Sequence, residues 1–478
     1  MRRQYQSMPM TRREMLKNCA AGFGNLALVS LLTEQGYTTD AIGQPLDPRM
    51  PHFAPKAKRI IFLFMFGGPS AHDLFLHKPL LERDHGKPNP IPEPRIVFAR
   101  TGKLMKSPWK VKQHGQSGAW IGELLPEIAS VADDLCFLKG MHGTNPEHGA
   151  AALMTHTGSN QFVRPCMGSW ISYGLGTENQ NLPSFITICP NIGGGASQNY
   201  SSAFLPTAHH GTPLGTAQMD NVAEAQFAFL DNPKISRSFQ RQQLELLQKW
   251  QRSQLEQAGP NQSLEGRIKS FELAFRMQTE APSVLDVSNE SQATRKLYGL
   301  DDKPTSNFGM RCLLARRFIE QGVRFVQVTH GENNKWDHHE NLQRDLPISC
   351  REIDKPVAGL IKDLKARGLL DETLVLWGGE FGRTAAVELD QSGDPGRDHN
   401  PNGYTMFLAG GGVTPGVSYG QTDEYGYYAV KDKVHIHDLH ATILHLMGLD
   451  HQKLTYRYQG RDFRLTDVYG NVVHDIIA

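Results

Sequence analysis

Eight consecutive residues, Arg59-Ile60-Ile61-Phe62-Leu63-Phe64-Met65-Phe66, are almost wholly apolar and stop at Gly67-Gly68-Pro69-Ser70. A strand with one wet face alternates polar and apolar positions, whereas a run that is apolar throughout has to be covered on both sides. Closed by turn residues at this length, it predicts the central strand of a parallel sheet sandwiched between helices. Further strands are expected over 134–139, 185–189, 323–329, 373–377 and 404–409. Helical patterns fall between them: an Ala-rich stretch from Gly149, then 167–175, 307–321, 342–367 with an interruption near Pro356, and 439–447 capped by Asp438. Strand and helix alternate, so the class is α/β, a mainly parallel sheet with helices on both faces. Residues 235–280 carry apolar positions at helical spacing (Leu244, Leu247, Trp250, Ile268, Phe271, Phe275) and read as a helical hairpin, lying on the sheet or over a site.

The chain has 478 residues, long enough for one large domain or two to three smaller ones. Lys plus Arg number 50 against 49 Asp plus Glu, so no global field draws the protein to nucleic acid or an acidic membrane. Six Cys in no CxxC spacing argue against a zinc ribbon or a disulfide framework. Thr11-Arg12-Arg13-Glu14-Met15-Leu16-Lys17, followed by the apolar run 20–32, resembles a twin-arginine export signal with Met at the usual Phe position. Residues 1–32 are therefore expected to be that signal, 33–57 a linker, and 58–478 the working domain. The implied destination is the periplasm or the exterior, and the implied partner the twin-arginine machinery. No later run is long and apolar enough to predict a membrane span.

Four clusters of acids and imidazoles follow separate strands: Asp73 after the first, Asp337-His338-His339 after 323–329, Glu380 after 373–377, and Asp398-His399 on the next loop. Strand carboxyl ends gather at one edge of such a sheet, so residues far apart in sequence can meet there. Mixed carboxylate and imidazole suits Zn or Mn; an all-oxygen set suits Ca or Mg. Arg383 is placed to face an anionic oxygen with its planar fork, or to pair with Glu380 or a neighbouring loop. His142 and His148 flank the start of the Ala-rich helix, as acid, base, ligand or supporting residues. That helix start would favour an anion. Gly410-Gly411-Gly412 reads as a turn after a strand, and Trp336 and Trp377 as packing residues.

With these residues in place, the chain resembles the exported bacterial family called domain of unknown function 1501, within the alkaline phosphatase and sulfatase-like superfamily. The matching residues are Phe66-Gly67-Gly68-Pro69-Ser70 with Asp73, Arg164-Pro165 with Gly168-Ser169-Trp170, Trp336-Asp337 with His339, Glu380-Phe381-Gly382-Arg383-Thr384, Gly396-Arg397-Asp398-His399, and Gly420 with Thr422-Asp423. The resemblance implies an alkaline phosphatase-like three-layer sandwich. It further implies a divalent ion (Zn, Mn or Ca) held by Asp73, Asp337, His339, Glu380, Asp398 and His399. The implied catalytic residues are Thr144, His148 and Arg383. The activity it implies is hydrolysis of a phosphate or sulfate ester, with a sulfated or phosphorylated glycan as candidate substrate. The alternative is a catalytically inert member that keeps the ion and binds a glycan or protein. Three departures bear on this choice. None of the cysteines lies in the C-x-P-x-R pattern of formylglycine sulfatases, Phe381 replaces a His that would serve a second ion, and Ala385 replaces a Pro. Thr144, before Asn145-Pro146, is the candidate nucleophile or an ordinary loop residue.

Overall fold

Strand β1 (Arg59–Met65) meets the demand its composition makes. Ile60, Phe62, Phe64 and Phe66 enter one buried layer, while Ile61, Leu63 and Met65 enter the layer on the opposite side. The structure, a computed structural model, describes residues 46–92, 98–191, 193–219, 221–228, 230, 234–258, 262–331, 335–389 and 391–478. The expected export signal, 1–32, lies outside the described residues. Residues 46–57, the later part of the expected linker, pack on the domain. Arg49 N–H donates to Leu175 O at 3.0 Å, and the N–H groups of Lys56 and Ala57 both donate to Leu446 O.

In chain order the elements that build the site are β1, β2 (Thr101–Leu104), β3 (Leu135–His142), α1 (His148–Thr157), α2 (Met167–Leu175), β4 (Phe185–Ile188) and β5 (Thr212–Leu214). There follow α3 (Arg237–Ala258), α4 (Gln262–Leu285), α5 (Lys303–Glu320), β6 (Phe325–His330), α6 (Leu342–Ala366), β7 (Thr373–Gly378), β8 (Gly382–Glu388), β9 (Arg397–Asn400), β10 (Tyr404–Ala409), β11 (Ser418–Tyr419), β12 (Val434–His435) and α7 (Ile436–Leu446). The main sheet is nine-stranded, in the order β11-β3-β10-β7-β1-β6-β4-β5, with β12 also on β3. Every pairing in it is parallel except those of β10, which runs antiparallel to both β7 and β3. Helices α1, α2 and α7 cover one face, and α4, α5 and α6 contribute to the core on the other. The expected three-layer α/β sandwich is therefore present.

Two local readings differ from expectation, and a third is made more specific. α6 runs unbroken through both Pro347 and Pro356; the buried apolar face of this helix outweighs the backbone bonds that proline removes. The N-cap of α7 is His435, whose ring accepts from His437 N–H, while Asp438 closes a capping box by accepting from His435 N–H at 3.0 Å. The stretch 235–280 does form a helical hairpin, α3 and α4, joined by Arg241–Glu272 (3.0 Å) and Gln248–Glu272 (2.8 Å). α4 sends Met277, Ala281 and Val284 into the α5/α6 layer, so of the two positions the sequence left open the hairpin takes the one on the domain body.

One ion pair fixes the turn after β1. Asp73 accepts from Arg397 Nε at 2.9 Å, from Arg397 Nη2 at 3.0 Å and from Ser70 Oγ–H at 2.5 Å, with neither Asp73 nor Arg397 reaching solvent. Arg397 also donates to the carbonyls of Met105 and Thr384. Burial opposes an ionised Asp73, but the Arg397 charge and these hydrogen bonds outweigh it and hold the carboxyl below its ordinary range. Asp73→Ala leaves Arg397 charged and buried without its partner. It should destabilise the domain by about 3–5 kcal/mol, read as a fall in the urea midpoint at unchanged m-value.

Candidate metal centre

β1, β3 and β7 are parallel and β10 is reversed, so four chain segments arrive at one edge: the ends of β1, β3 and β7, and the start of β10. Asp337 follows β6 at that same edge. Its carboxylate is the focus of the site. His339 Nε2 lies 2.8 Å from Asp337 Oδ1, His399 Nε2 lies 3.1 Å from the same oxygen, and His148 Nε2 lies 3.0 Å from Oδ2. The donor atoms of these four residues all lie within 4.8 Å of one another.

Each imidazole is held from behind by an oxygen. His148 Nδ1 donates to Glu380 Oε1 at 2.6 Å, His399 Nδ1 to the Pro146 carbonyl at 2.5 Å, and His339 Nδ1 to Glu388 Oε2. Glu380 is itself fixed by Gly67 N–H, at 3.0 and 3.2 Å to its two oxygens. A carbonyl can only accept, so His399 carries its proton on Nδ1 and, when neutral, turns a bare Nε2 toward Asp337. Burial, then the Arg383 charge, push the pKa of His399 down to about 3, so the ring is neutral. His148 Nε2 is buried and out of line for a hydrogen bond, although Asp337 is close. Nitrogens bare or mismatched on one side and pinned to oxygen on the other are the pattern of metal-binding histidines. These residues fit a divalent ion.

Without an ion, positive charge reaches Asp337 by other routes. Burial opposes its ionisation, but the Arg383 charge and the contacts from His148 and His339 outweigh that and hold the carboxyl far below its usual range. Arg383 Nη2 is 2.5 Å from Asp337 Oδ1. Burial likewise opposes charge on His339 and His148, yet the carboxylate contacts prevail, raising His339 to about 9 and His148 above its ordinary value.

The remaining sequence candidates take distinct places. Glu380 stands behind His148 and lies outside the converging group. Asp398 accepts from Ala99 N–H and from its neighbour's N–H, and forms with His339 and Glu388 a second group within 4.8 Å. Asp73 is committed to Arg397, which removes it from the ligand set. Arg383 corrects the expectation of an anion-binding fork. Its guanidinium is buried and donates inward to the carbonyls of Gly67, Gly68, Trp336 and Arg397 as well as to Asp337. Thr144 is exposed, on the loop that brings the Pro146 carbonyl to His399. His142 sits at the end of β3 beside the His435 ring, 5.1 Å between centroids.

The start of α1 is not open to an outside anion, because the Glu147 carboxylate accepts from Gly149 N–H at 2.9 Å and Ala150 N–H at 2.7 Å. Phe381 lies against the rings of His399 (4.5 Å) and His148 (4.9 Å). Room for it depends on Gly68, at φ +78°, where a Cβ would stand 2.7 Å from the Phe381 ring. Phe98, 54% exposed, covers His399 at 4.4 Å from the outside. Trp336 and Trp377 are fully buried, Trp377 stacked on Phe407 at 4.9 Å.

A family model described as Protein of unknown function (DUF1501) matches residues 57–477. No curated protein matches the sequence. Among solved structures the chain is similar to the PsFucS1 sulfatase from Pseudoalteromonas sp., at 12% identity and a TM-score of 0.38, over 92% of this chain and 72% of that one. It is also similar to the lipoteichoic acid synthase LtaP from Listeria monocytogenes, at 10% identity and 0.37, over 90% and 80%. The alkaline phosphatase from the Antarctic bacterium TAB5 matches at 10% identity and 0.33, over 82% and 98%.

Removing an oxygen that holds a ligating imidazole typically weakens ion binding about 10–100-fold. Glu388→Gln and Glu380→Gln should each do so, measured by competition against a chromophoric chelator. In the ion-free chain the raised His339 contributes stability that is complete below its ordinary pKa of 6.5 and lost as pH rises through about 9. An ion competes with that same proton. The denaturant midpoint of chelator-stripped protein should therefore fall across this window through His339, while ion affinity rises and binding releases protons.

Proposed function

The chain belongs to the DUF1501 family, a protein family of unknown function, and from that premise we propose that it is a metal-dependent hydrolase of phosphate or sulfate esters, exported by the twin-arginine route. The observation that carries this reading is the convergence of three oxygen-pinned imidazoles, His148, His339 and His399, on the Asp337 carboxylate. Three nitrogens and one carboxylate favour Zn or Mn; Ca, which takes oxygen ligands, loses the support it had when six residues including four acids were the expected set. A bound ion would act as a Lewis acid on an ester oxygen and lower the pKa of water.

The chain's own residues supply the rest. Glu380, Glu388 and the Pro146 carbonyl orient the three rings, and Arg383 balances the Asp337 charge from the protein side. Phe98 and Phe381 line the imidazoles with apolar surface, which lowers the local dielectric and strengthens charge interactions within the site. The ester class rests on the motif resemblance, with a sulfated or phosphorylated glycan the candidate substrate. The export reading rests on residues 11–32 of the sequence.

A second reading has its own support. Arg383 is turned inward and Thr144 lies exposed, so the converging group contains no hydroxyl or thiol nucleophile. An inert member would keep the ion for stability and bind a glycan or a protein. Elemental analysis of protein purified without chelator, followed by assay on aryl phosphate, aryl sulfate and sulfated polysaccharide, separates the two. The hydrolase reading expects about one bound ion and turnover that His399→Ala reduces at least about 100-fold together with ion content. Bound ion with no turnover on any of these esters selects the binding reading.

A further inference from the structure

Helix α7 grips the end of α1 through two imidazoles. His437 Nε2–H donates to the Gly158 carbonyl at 2.9 Å, and His440 Nε2–H to the Thr155 carbonyl at 2.8 Å. Both carbonyls belong to the last turn of α1 and its Gly158 cap, where a helix runs out of backbone donors. A third imidazole, His156 on α1, donates from Nδ1 to the Ala152 carbonyl at 2.8 Å. A carbonyl only accepts, so these contacts place each ring's proton and leave the opposite nitrogen bare. Those nitrogens, Nδ1 of His437, Nδ1 of His440 and Nε2 of His156, are buried and have no hydrogen-bond partner among the described residues.

A second proton on His156 or His440 would carry charge into a layer with no acceptor placed to receive it. From α7 and its cap, His440 faces the imidazoles of His437 and His435, and from α1 it faces His156. His156 meets Phe64 and Phe62 of β1, at 4.5 and 5.5 Å between centroids. α2 shares the layer and carries no charged residue. The thiols of Cys136 and Cys166, in the same layer, are pushed up by burial to about 12 and about 11 and stay neutral. Asp438, the one acid on α7, accepts from His435 N–H at 3.0 Å and from Asn471 N–H at 2.7 Å. On the segment beside α7, Asp467 pairs with Arg164 at 3.4 Å and with Arg461, and Arg464 donates to the Asp467 carbonyl. Burial pushes His156 down to about 4, and burial with the neighbouring imidazoles pushes His440 down to about 3, from the ordinary 6.5.

We propose that this joint is an acid-operated latch: with His156 and His440 neutral it holds the last turn of α1 on α7, and a proton on either bare nitrogen drives that turn and the loop 158–165 away. Phe162 and Val163 on this loop are already 62% and 59% exposed, so its outer side has little packing to lose. The sign follows from the lowered rings. Rings that titrate at 6.5 once freed, but at about 4 and about 3 when shut in, favour the closed joint fully above 6.5 and lose that preference as pH falls below it. α1 begins at His148, one of the converging imidazoles, so the latch sits at the far end of a helix that carries a candidate ligand. The proposal concerns the ion-free chain and does not rest on the hydrolase reading.

The test is amide hydrogen exchange on the full chain, chelator-stripped, at pH 7 and pH 5, with rates corrected for the intrinsic pH dependence of exchange. Peptides covering 150–166 report the latch, and α5, which carries no histidine, is the reference in the same samples. One histidine that takes up its proton on opening should raise the opened fraction of 150–166 about 20-fold between these pH values, with α5 unchanged. The double variant His156→Gln/His440→Gln keeps an amide N–H for each carbonyl but cannot titrate. It should flatten that rise to about twofold or less. No acid response at 150–166 in the unsubstituted chain overturns the proposal, as does a response of equal size in α5 or one that the double variant leaves unchanged. Should the double variant fail to fold, the comparison of 150–166 with α5 in the unsubstituted chain decides.

Discussion

The Asp337 carboxylate is the charge around which the candidate metal site of this protein is arranged. A buried carboxylate persists in ionised form only where positive charge or donors surround it. Here the Arg383 guanidinium and the imidazoles of His148 and His339 do so, and these groups, like the neutral His399 ring, are fixed in turn by another part of the chain: Glu380, Glu388, the Pro146 carbonyl, and the carbonyls after β1. The result is two concentric layers of contacts that draw on β1, β6, β7, β8, β9 and the loop before α1. The inner layer sets donor chemistry; the outer one sets tautomer and ring orientation, without which the same residue types would bind an ion poorly.

Much of this was legible beforehand, for a physical reason. Two-sided apolar runs report burial directly, so β1, β7 and β10 and the α/β class follow from composition and length. Strand ends in such a sheet share an edge, so Asp337, His339 and His399 could be brought together without coordinates. Their immediate partners were less readable. Glu388 ends a strand that also carries Arg383 and Thr384, and a single acid there carries no signal of which face it occupies; its inward turn depends on the pairing of β8 with β9. Asp73 and Arg383 fell in motifs that mark the site, yet both are buried and matched to protein groups, Asp73 to Arg397 and Arg383 to four carbonyls and Asp337. Motif membership said they were close to the centre, and only hydrogen-bond geometry says that they support it.

The same distinction applies to α1. Its sequence has the marks of an anion-binding helix start, small residues after a Pro-containing turn, and the dipole argument is sound. The chain meets that preference itself, with Glu147. An incoming oxyanion would have to displace a tethered carboxylate, so this helix start is closed to one.

The reversal of β10 has a consequence for how the protein forms. Because β7 and β10 are consecutive strands of the main sheet and pair antiparallel, the stretch between them, with β8 and β9, is one local excursion. Glu380, Arg383, Glu388, Asp398 and His399 all lie on it. Closing a loop of that length costs little entropy compared with the long crossovers that deliver His148 and Asp337. One of the four converging residues, His399, and the supporting Glu380, Arg383 and Glu388 therefore arrive on a single contiguous stretch, the part of the site whose ends meet at the lowest loop-closure cost.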